Sequence, residues 1–505
     1  MSITAGCLGW RPPDMERKVG ADALFACHPR EERIMTTNKR TLLRAGLTAT
    51  AALAAKATGL AAAAKAEETP SVAGDAVTAA AEDFGHLVHR KPQTVLKPAS
   101  AADIAELMPW AASRGLKVAA RGQGHSVFGR AMVEGGVVLD MTSMRTIHDV
   151  QPDRISVDAG ATWSAVLDAA LSHGLTPPVL TNYLELSVGG TLAVGGIGPT
   201  TFRYGMQTDN VLALDVVTGD GRQLTCSPNS NPDLFDAIRA GLGQCGIITR
   251  ATLRLVPAPQ RVRRFSLFYT DLRSLTADQR TVLTDGRFDQ LQGAILPDGA
   301  GAWRYQLESA VHYDGQAAPD NDAVLAGLSD QRSAAVMSDL TYIEDLSAFA
   351  RLESLLRSNG QWFHPHPWLL TFLRGSNAEQ LAGDILAGLK NSDVGPFGRI
   401  TYYPMFTKAL HTPLVRMPDE SIAFPFNLIR IPASKDATKA EHMVISNRAL
   451  YERLRDAGGV LYPVSAFPMS QNDWKDHFGP RWSLLHDAKQ RYDPLATLTP
   501  GYTVF

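Results

Sequence analysis

Between residues 85 and 257 short apolar runs, closed by glycine or by charged residues, alternate with stretches of helical spacing. The segment 98–115, P-A-S-A-A-D-I-A-E-L-M-P-W-A-A-S-R-G, reads as a helix, with Ser100 or Asp103 serving its start and Gly115 its stop. L-K-V-A-A-R at 116–121, G-G-V-V-L-D-M at 135–141 and I-S-V-D-A-G at 155–160 read as strands. T-W-S-A-V-L-D-A-A-L-S-H-G at 162–174 reads as a second helix, closed by Gly174. Residues 187–198, S-V-G-G-T-L-A-V-G-G-I-G, form a glycine-rich turn system. Residues 211–226 make a hairpin turning on Asp220 and Gly221, and 247–257 a strand that ends at Pro257.

The pattern changes after the P-A-P that starts at Pro257. Residues 258–465 carry longer helical patterns and more aromatics, and a last helix occupies 482–492. The reading is an α+β chain in parts: a cofactor-binding block at 67–257, an inserted substrate block at 258–465 and a C-terminal return at 466–505.

Composition adds two constraints. The formal net charge of −2, from 49 basic and 51 acidic residues, gives no reason to expect nucleic acid or an anionic membrane as partner. Of the cysteines, Cys226 and Cys245 fall in the mature part, without C-x-x-C spacing, so no structural metal site is expected; they are a disulfide or two free thiols.

The N-terminal region reads as a leader. N-K-R-T-L-L-R at 38–44 precedes an Ala/Leu-rich stretch, Ala45 to Ala64, and an A-K-A cleavage pattern at 64–66. The basic pair followed by T-L-L resembles a twin-arginine signal with Lys39 in the first arginine place. The expectation is a signal peptide at 35–66, an over-extended start at 1–34 and a periplasmic or secreted mature protein. The apolar middle is too short and too weakly apolar for stable membrane insertion. Such a route carries folded proteins and suits one that loads a cofactor first.

The chemistry concentrates in V-A-A-R-G-Q-G-H-S-V-F-G-R at 118–130. Gly122 and Gly124 let backbone approach a ligand closely, and Arg121 adds a fixed positive charge for phosphate. The G-x-G-x-x-G spacing of a nicotinamide loop and the G-K-S/T of a triphosphate loop are both missing. His125 on its own reads more readily as a loop histidine satisfied by its neighbours than as a reactive group.

The order strand, R-G-Q-G-H-S, Gly129, then G-G-V-V-L-D-M resembles the flavin-binding domain of the vanillyl-alcohol oxidase superfamily, and within it the cytokinin dehydrogenases. Y-L-E-L-S-V-G-G-T-L-A-V-G-G-I from Tyr183 resembles the second flavin loop. The long segment from Asn231, L-T-Y-I-E-D-L from Leu340, F-H-P-H-P-W-L from Phe363, D-W-K-D-H-F-G from Asp473 and the closing T-P-G also resemble blocks of that family, in its order. The resemblance implies FAD lying along Arg121, Gly122, Gln123, Gly124, His125, Ser126 and Gly129, and along Ser187, Gly189, Gly190, Thr191, Gly195 and Gly198, with Ile248 and Tyr502 in contact. It further implies covalent attachment through His125 by a single bond, because residues 185–200 hold no cysteine for a second. The implied fold is a two-domain flavoprotein whose substrate domain is an antiparallel sheet flanked by helices.

For the substrate, the resemblance implies oxidation of the C–N bond of an N6-substituted adenine through an imine, with oxygen or a quinone as electron acceptor. Trp368 matches an aromatic lining the substrate slot, and Glu308 a glutamate at its entrance or, equally, a solvated strand-edge residue. The family's proton-accepting aspartate is replaced by Asn182, whose amide accepts a hydrogen bond but not a proton. Leu370 stands where plant members commonly carry asparagine. A neutral amine needs no base; an alcohol would need one from elsewhere, for which Tyr183, Tyr402, Tyr403 and His366 are candidates. Two other readings follow: oxidation of another alcohol, sugar or aromatic metabolite on the same flavin, or a flavin-loaded binding protein without catalysis.

Overall fold

The computed structural model describes residues 70–315 and 317–505; the expected leader and overextended start lie outside them. Thr94–Leu96, Val137–Asp140 and Val118–Arg121 form a parallel sheet with Val137–Asp140 in the centre. The central strand buries Val137, Val138 and Leu139 in succession, as a parallel strand covered on both faces does. The expected first helix runs Ala101–Ala112, shorter than 98–115. Ser100 and Asp103 cap it reciprocally: the Asp103 N–H donates to Ser100 Oγ at 3.3 Å and the Ser100 N–H to Asp103 Oδ2 at 3.1 Å. Its buried face, Ile104, Leu107, Met108 and Ala111, has helical spacing and packs on the strand Val211–Thr218.

A second, antiparallel sheet holds Ile147–Gln151, Arg154–Asp158, Gly246–Arg254, Val211–Thr218 and Gln223–Cys226 in that spatial order. The hairpin turns where expected: the Thr218 N–H donates to the Arg222 carbonyl at 3.0 Å and Gly221 takes φ +88°. The helix Trp163–Leu171 packs on this sheet, and its Trp163 Nε1 donates to Thr191 Oγ1 at 2.8 Å. That bond ties the sheet layer to the second glycine loop. The loop is not all turn: Val188–Leu192 is a short helix. Val188 and Gly189 donate their N–H groups to the Ala161 and Ala159 carbonyls, at 2.9 and 2.8 Å, so outside partners stabilise a turn of helix that its glycines alone disfavour.

A nine-stranded antiparallel sheet lies between Arg261 and Leu461. Its strands Ile422–Ile429 and Leu369–Arg374 are buried almost end to end, and helices such as Ala437–Asp456 and Ala378–Leu386 pack on it. Side chains such as Phe372, Phe424 and Phe426, all under 2% exposed, each contribute about 1.5–3 kcal/mol by leaving water. The chain then returns. Trp482–Tyr492 is helical over the expected residues, and Val118 pairs with Leu498 beside the parallel sheet. A buried ion pair, Lys489 Nζ to Asp493 Oδ2 at 2.7 Å, holds the return, and the Asp493 carboxylate also accepts the N–H groups of Thr497 and Leu498. Cys226 and Cys245 are buried free thiols. Among the described residues no helix is long and apolar enough to cross a membrane.

Candidate functional site

The strand Val118–Arg121 ends in a turn made by glycines. Gly124 takes φ +67°, and a side chain there would run into the Arg121 guanidinium. A side chain on Gly122 would run into Ser187, so the first turn and the second loop touch with nothing to spare. The turn is held from below by Asp83, which is 3% exposed. Its Oδ2 accepts the Ser126 hydroxyl and the Gly129 N–H, each at 2.6 Å, and its Oδ1 the Gly85 N–H at 3.1 Å. Burial nevertheless raises the Asp83 pKa above the ordinary aspartate value, against those hydrogen bonds and the nearby Arg121.

Between the two loops lies a cavity of about 290 Å³. Gly122, Gln123, Gly124, His125 and Ser126 form one wall; Ser187, Gly189, Gly190 and Thr191 the next; Ile248, Trp368, Tyr462 and Tyr502 close it. Arg130 lines it too, 6% exposed, donating to the Ser465 and Phe467 carbonyls and facing the Tyr502 ring at 5.0 Å. Its Nε is buried with no partner, and burial pushes its pKa down to about 10, which leaves it charged at neutral pH.

Aromatic side chains pack behind His125 and Trp368, the two rings of this cluster that line the cavity. Phe84 lies between two imidazoles, 4.0 Å from His125 and 3.9 Å from His366, centroid to centroid. Trp362 packs 4.8 Å and Trp368 5.5 Å from the same ring, and Tyr183 sits 4.8 Å from His125. This enclosure pushes the His125 pKa down to about 3, mainly by burial and secondarily through the Arg357 charge, so its ring is neutral. His366 is likewise held near 3 by burial; its Nδ1 bonds the Phe84 carbonyl at 2.9 Å and its Nε2 is buried without a partner. The Tyr183 hydroxyl donates to Glu353 Oε1 at 3.1 Å, and Arg357 Nε donates to the same oxygen at 2.8 Å. Burial and the Glu353 charge push the Tyr183 pKa well above the usual phenol value.

Other sequence-derived candidates stand back from the cavity. The Arg121 guanidinium folds under its own turn, one Nη donating to the Ala79 carbonyl at 3.4 Å and the other buried without a partner. Gly129, Gly195 and Gly198 serve close packing: a side chain would meet Val88, Met206 and the Leu180 carbonyl respectively. Asn182 is exposed. Glu308 pairs with Arg399 at 2.7 Å on the nine-stranded sheet. Tyr402 and Tyr403 are buried away from the cavity lining, Tyr402 bonded to Thr276. None of the four candidate bases lines the cavity, but His366 and Tyr183 belong to the aromatic cluster packed around Phe84 and His125. Asp83, Phe84, Arg130, Glu353, Arg357, Trp362 and Tyr462 were not anticipated from sequence; Arg130, which closes the same V-F-G-R run as His125, carried the one usable signal.

A family model for an FAD-binding domain matches residues 92–227, and one described as cytokinin dehydrogenase 1, FAD and cytokinin binding, matches 294–505. The cavity residues suit FAD: two glycine turns that exclude side chains, a buried arginine with a free Nε, and rings to flank a flat group. The chain is similar to an uncharacterized oxidoreductase, ORF5 of the fasciation locus of Rhodococcoides fascians, 43% identical over 84% of this chain and 96% of that protein. It is also similar to cytokinin dehydrogenase 10 of Oryza sativa subsp. japonica, 38% identical over 85% and 87% of the two chains, and to cytokinin dehydrogenase 3 of Arabidopsis thaliana, 35% identical over 85% and 88%. The glycine turns, the cavity between them and these matches lead to one conclusion: the chain is an FAD-dependent oxidoreductase that belongs to the cytokinin dehydrogenase family.

Proposed function

We propose that the protein oxidises the C–N bond of an N6-substituted adenine, releasing the side chain by way of an imine, with FAD joined covalently through His125. The observation that supports this best is His125 itself. It sits on a glycine turn, lines the cavity, stacks on Phe84 and is neutral. A neutral imidazole keeps the ring lone pair that a bond to the flavin 8α-carbon requires. FAD, when bound, supplies the hydride acceptor. Trp368 offers a purine a flat apolar face, and Arg130 a fixed positive charge to hold the cofactor.

Proton transfer sets the substrate's form. Asn182 takes no proton, His366 near pKa 3 is a weak base, and the raised Tyr183 stays protonated. The wall therefore favours an amine that arrives neutral. The missing carboxylate at 182 equally supports a second reading, oxidation of an alcohol or another aromatic metabolite on the same flavin. Export of the mature chain from Glu67 to the periplasm or medium, and re-oxidation by oxygen or a quinone, complete the reading. So do the block boundaries 67–257, 258–465 and 466–505.

The test mixes purified protein with isopentenyl-adenine, air excluded, and follows visible flavin absorbance. Rapid bleaching is expected; flavin that dithionite reduces but the substrate does not would sink the adenine assignment. Asn182→Asp is expected to speed bleaching by an amine about a hundredfold. A variant with unchanged amine rate and an active alcohol would decide for the second reading. Colour retained by acid-precipitated protein, and lost in His125→Ala, checks the covalent bond.

A further inference from the structure

A second cavity, of about 850 Å³, lies between the helix Ala437–Asp456, the helix Ala378–Leu386 and the turn Asn391–Val394. It shares no lining residue with the cavity beside His125. Arg430 lines it while only 1% exposed. Its contacts are poor: one Nη reaches the Asp393 carbonyl at 3.3 Å, the other Ser446 Oγ at 3.4 Å, and Nε is buried with no partner. Among the described residues it makes no salt bridge, whereas the buried Arg239 pairs with Asp236 at 2.8 Å. Burial lowers the Arg430 pKa to about 10, so it remains a cation at neutral pH. An unpaired buried charge of this kind is strongly unfavourable.

The mouth adds charge of the same sign. Lys439 and Arg453 line it and are exposed. The carboxylates nearby compensate little: Asp436 stands 3.9 Å from Lys439 and Asp384 3.7 Å from Arg453, both exposed pairs. The Asp393 carboxylate, which also lines the cavity, accepts the Lys390 N–H at 2.8 Å and offsets part of the Arg430 charge without forming a salt bridge to it. Ile385, Leu389, Met443 and Leu450 give the wall an apolar stretch. We infer that this cavity binds a small organic oxyanion, an apolar body carrying one carboxylate or phosphate, with the anion paired to Arg430. The planar guanidinium suits either group, through two parallel N–H bonds.

The test titrates the flavin-loaded protein with hexanoate and with hexyl phosphate by calorimetry and thermal unfolding, with hexanol as the uncharged control. At least one anion is expected to bind saturably, raise the melting temperature and leave flavin absorbance unchanged, while hexanol does neither. Which anion binds tells carboxylate from phosphate. Arg430→Gln is expected to weaken binding about a hundredfold. Ser446→Phe, which fills the space beside the guanidinium, guards against a folding defect in the first variant and is expected to abolish binding as well. Saturable binding of neither anion overturns the site. So does binding that survives both substitutions, or that perturbs the flavin spectrum.

Discussion

The cavity has two kinds of wall. One is backbone: Gly122 to Ser126 and Ser187 to Thr191, where the missing side chains define the space. The other is side chain: Trp368 lines the space, backed by Phe84, Tyr183, Trp362 and His366, an aromatic cluster drawn from three separate segments of the chain. A backbone wall has no slack, because moving it means moving a strand. A side-chain wall can repack within its rotamers. Substitutions should therefore act all-or-none on the first wall and by degrees on the second.

The largest effect is expected at Gly122. A valine there must displace Ser187 and with it the start of the second loop. Gly122→Val is expected to purify without flavin, read as the ratio of visible to 280 nm absorbance. Normal loading would show that the Gly122–Ser187 contact has slack and would dissolve the distinction between the walls.

Next in size is a dependence on pH, with opposite sign for the two walls. His366 is held near pKa 3, against about 6.5 for a free histidine. The unfolded chain takes up a proton below pH 6.5 that the folded chain refuses until about pH 3. The stability is thus full above pH 6.5 and falls by about 1.4 kcal/mol per pH unit as acid is added. His477, buried beside Trp474 and also near 3, adds an equal slope. Asp83 works the other way. Its raised folded pKa means the native state keeps a proton above pH 3.8, so its contribution is present in acid and is lost as pH rises through the folded pKa. Urea unfolding between pH 7 and 4 is expected to show stability falling overall, with the slope reduced by about one proton in His366→Gln. An unchanged slope would mean the aromatic wall admits water.

This contrast also explains what the sequence disclosed. Glycines at 122, 124, 189 and 190 are visible because a backbone wall is written locally, in residues adjacent along the chain. Helix ends were legible for the same reason: Ser100, Asp103 and Gly174 act within a turn of themselves. The short helix Val188–Leu192 was not, since the Ala159 and Ala161 carbonyls that hold it come from another strand. Trp368 was reached through family resemblance alone. Phe84 and Trp362 are separated by most of the chain, and nothing at either position announces the other. Glu353 reads as one more exposed helix acid until its partners, Tyr183 and Arg357, are seen.

A smaller effect is expected beneath the backbone wall. Asp83→Asn leaves an amide N–H₂ facing either the Gly85 N–H or the paired donors Ser126 and Gly129. The unmatched donors cost about 1–3 kcal/mol, less what is regained by removing a buried charge. The prediction is a melting temperature lowered by several degrees, with part of the flavin lost. An unaffected melting temperature would show that the carboxylate is already protonated and the turn indifferent to it.

The smallest effect tests the second wall's tolerance. Tyr183→Phe keeps the ring that packs 4.8 Å from His125 and 5.6 Å from Trp362 and removes only the hydroxyl. Glu353 then loses one donor but retains Arg357 Nε at 2.8 Å, so its carboxylate is not left unpaired. A single hydrogen bond with a satisfied partner is worth about 0.5–1.5 kcal/mol. Flavin loading is expected to be unchanged and the melting temperature to fall by a few degrees at most. The rate of substrate bleaching should also hold, because a phenol whose pKa is pushed up does not accept the proton. Tyr183→Ala, by contrast, removes the ring and exposes His125 to water, which should return its pKa toward the ordinary histidine range. If Tyr183→Phe instead stops bleaching while flavin stays bound, the hydroxyl and Glu353 carry the proton that Asn182 cannot, and the second wall is as exacting as the first.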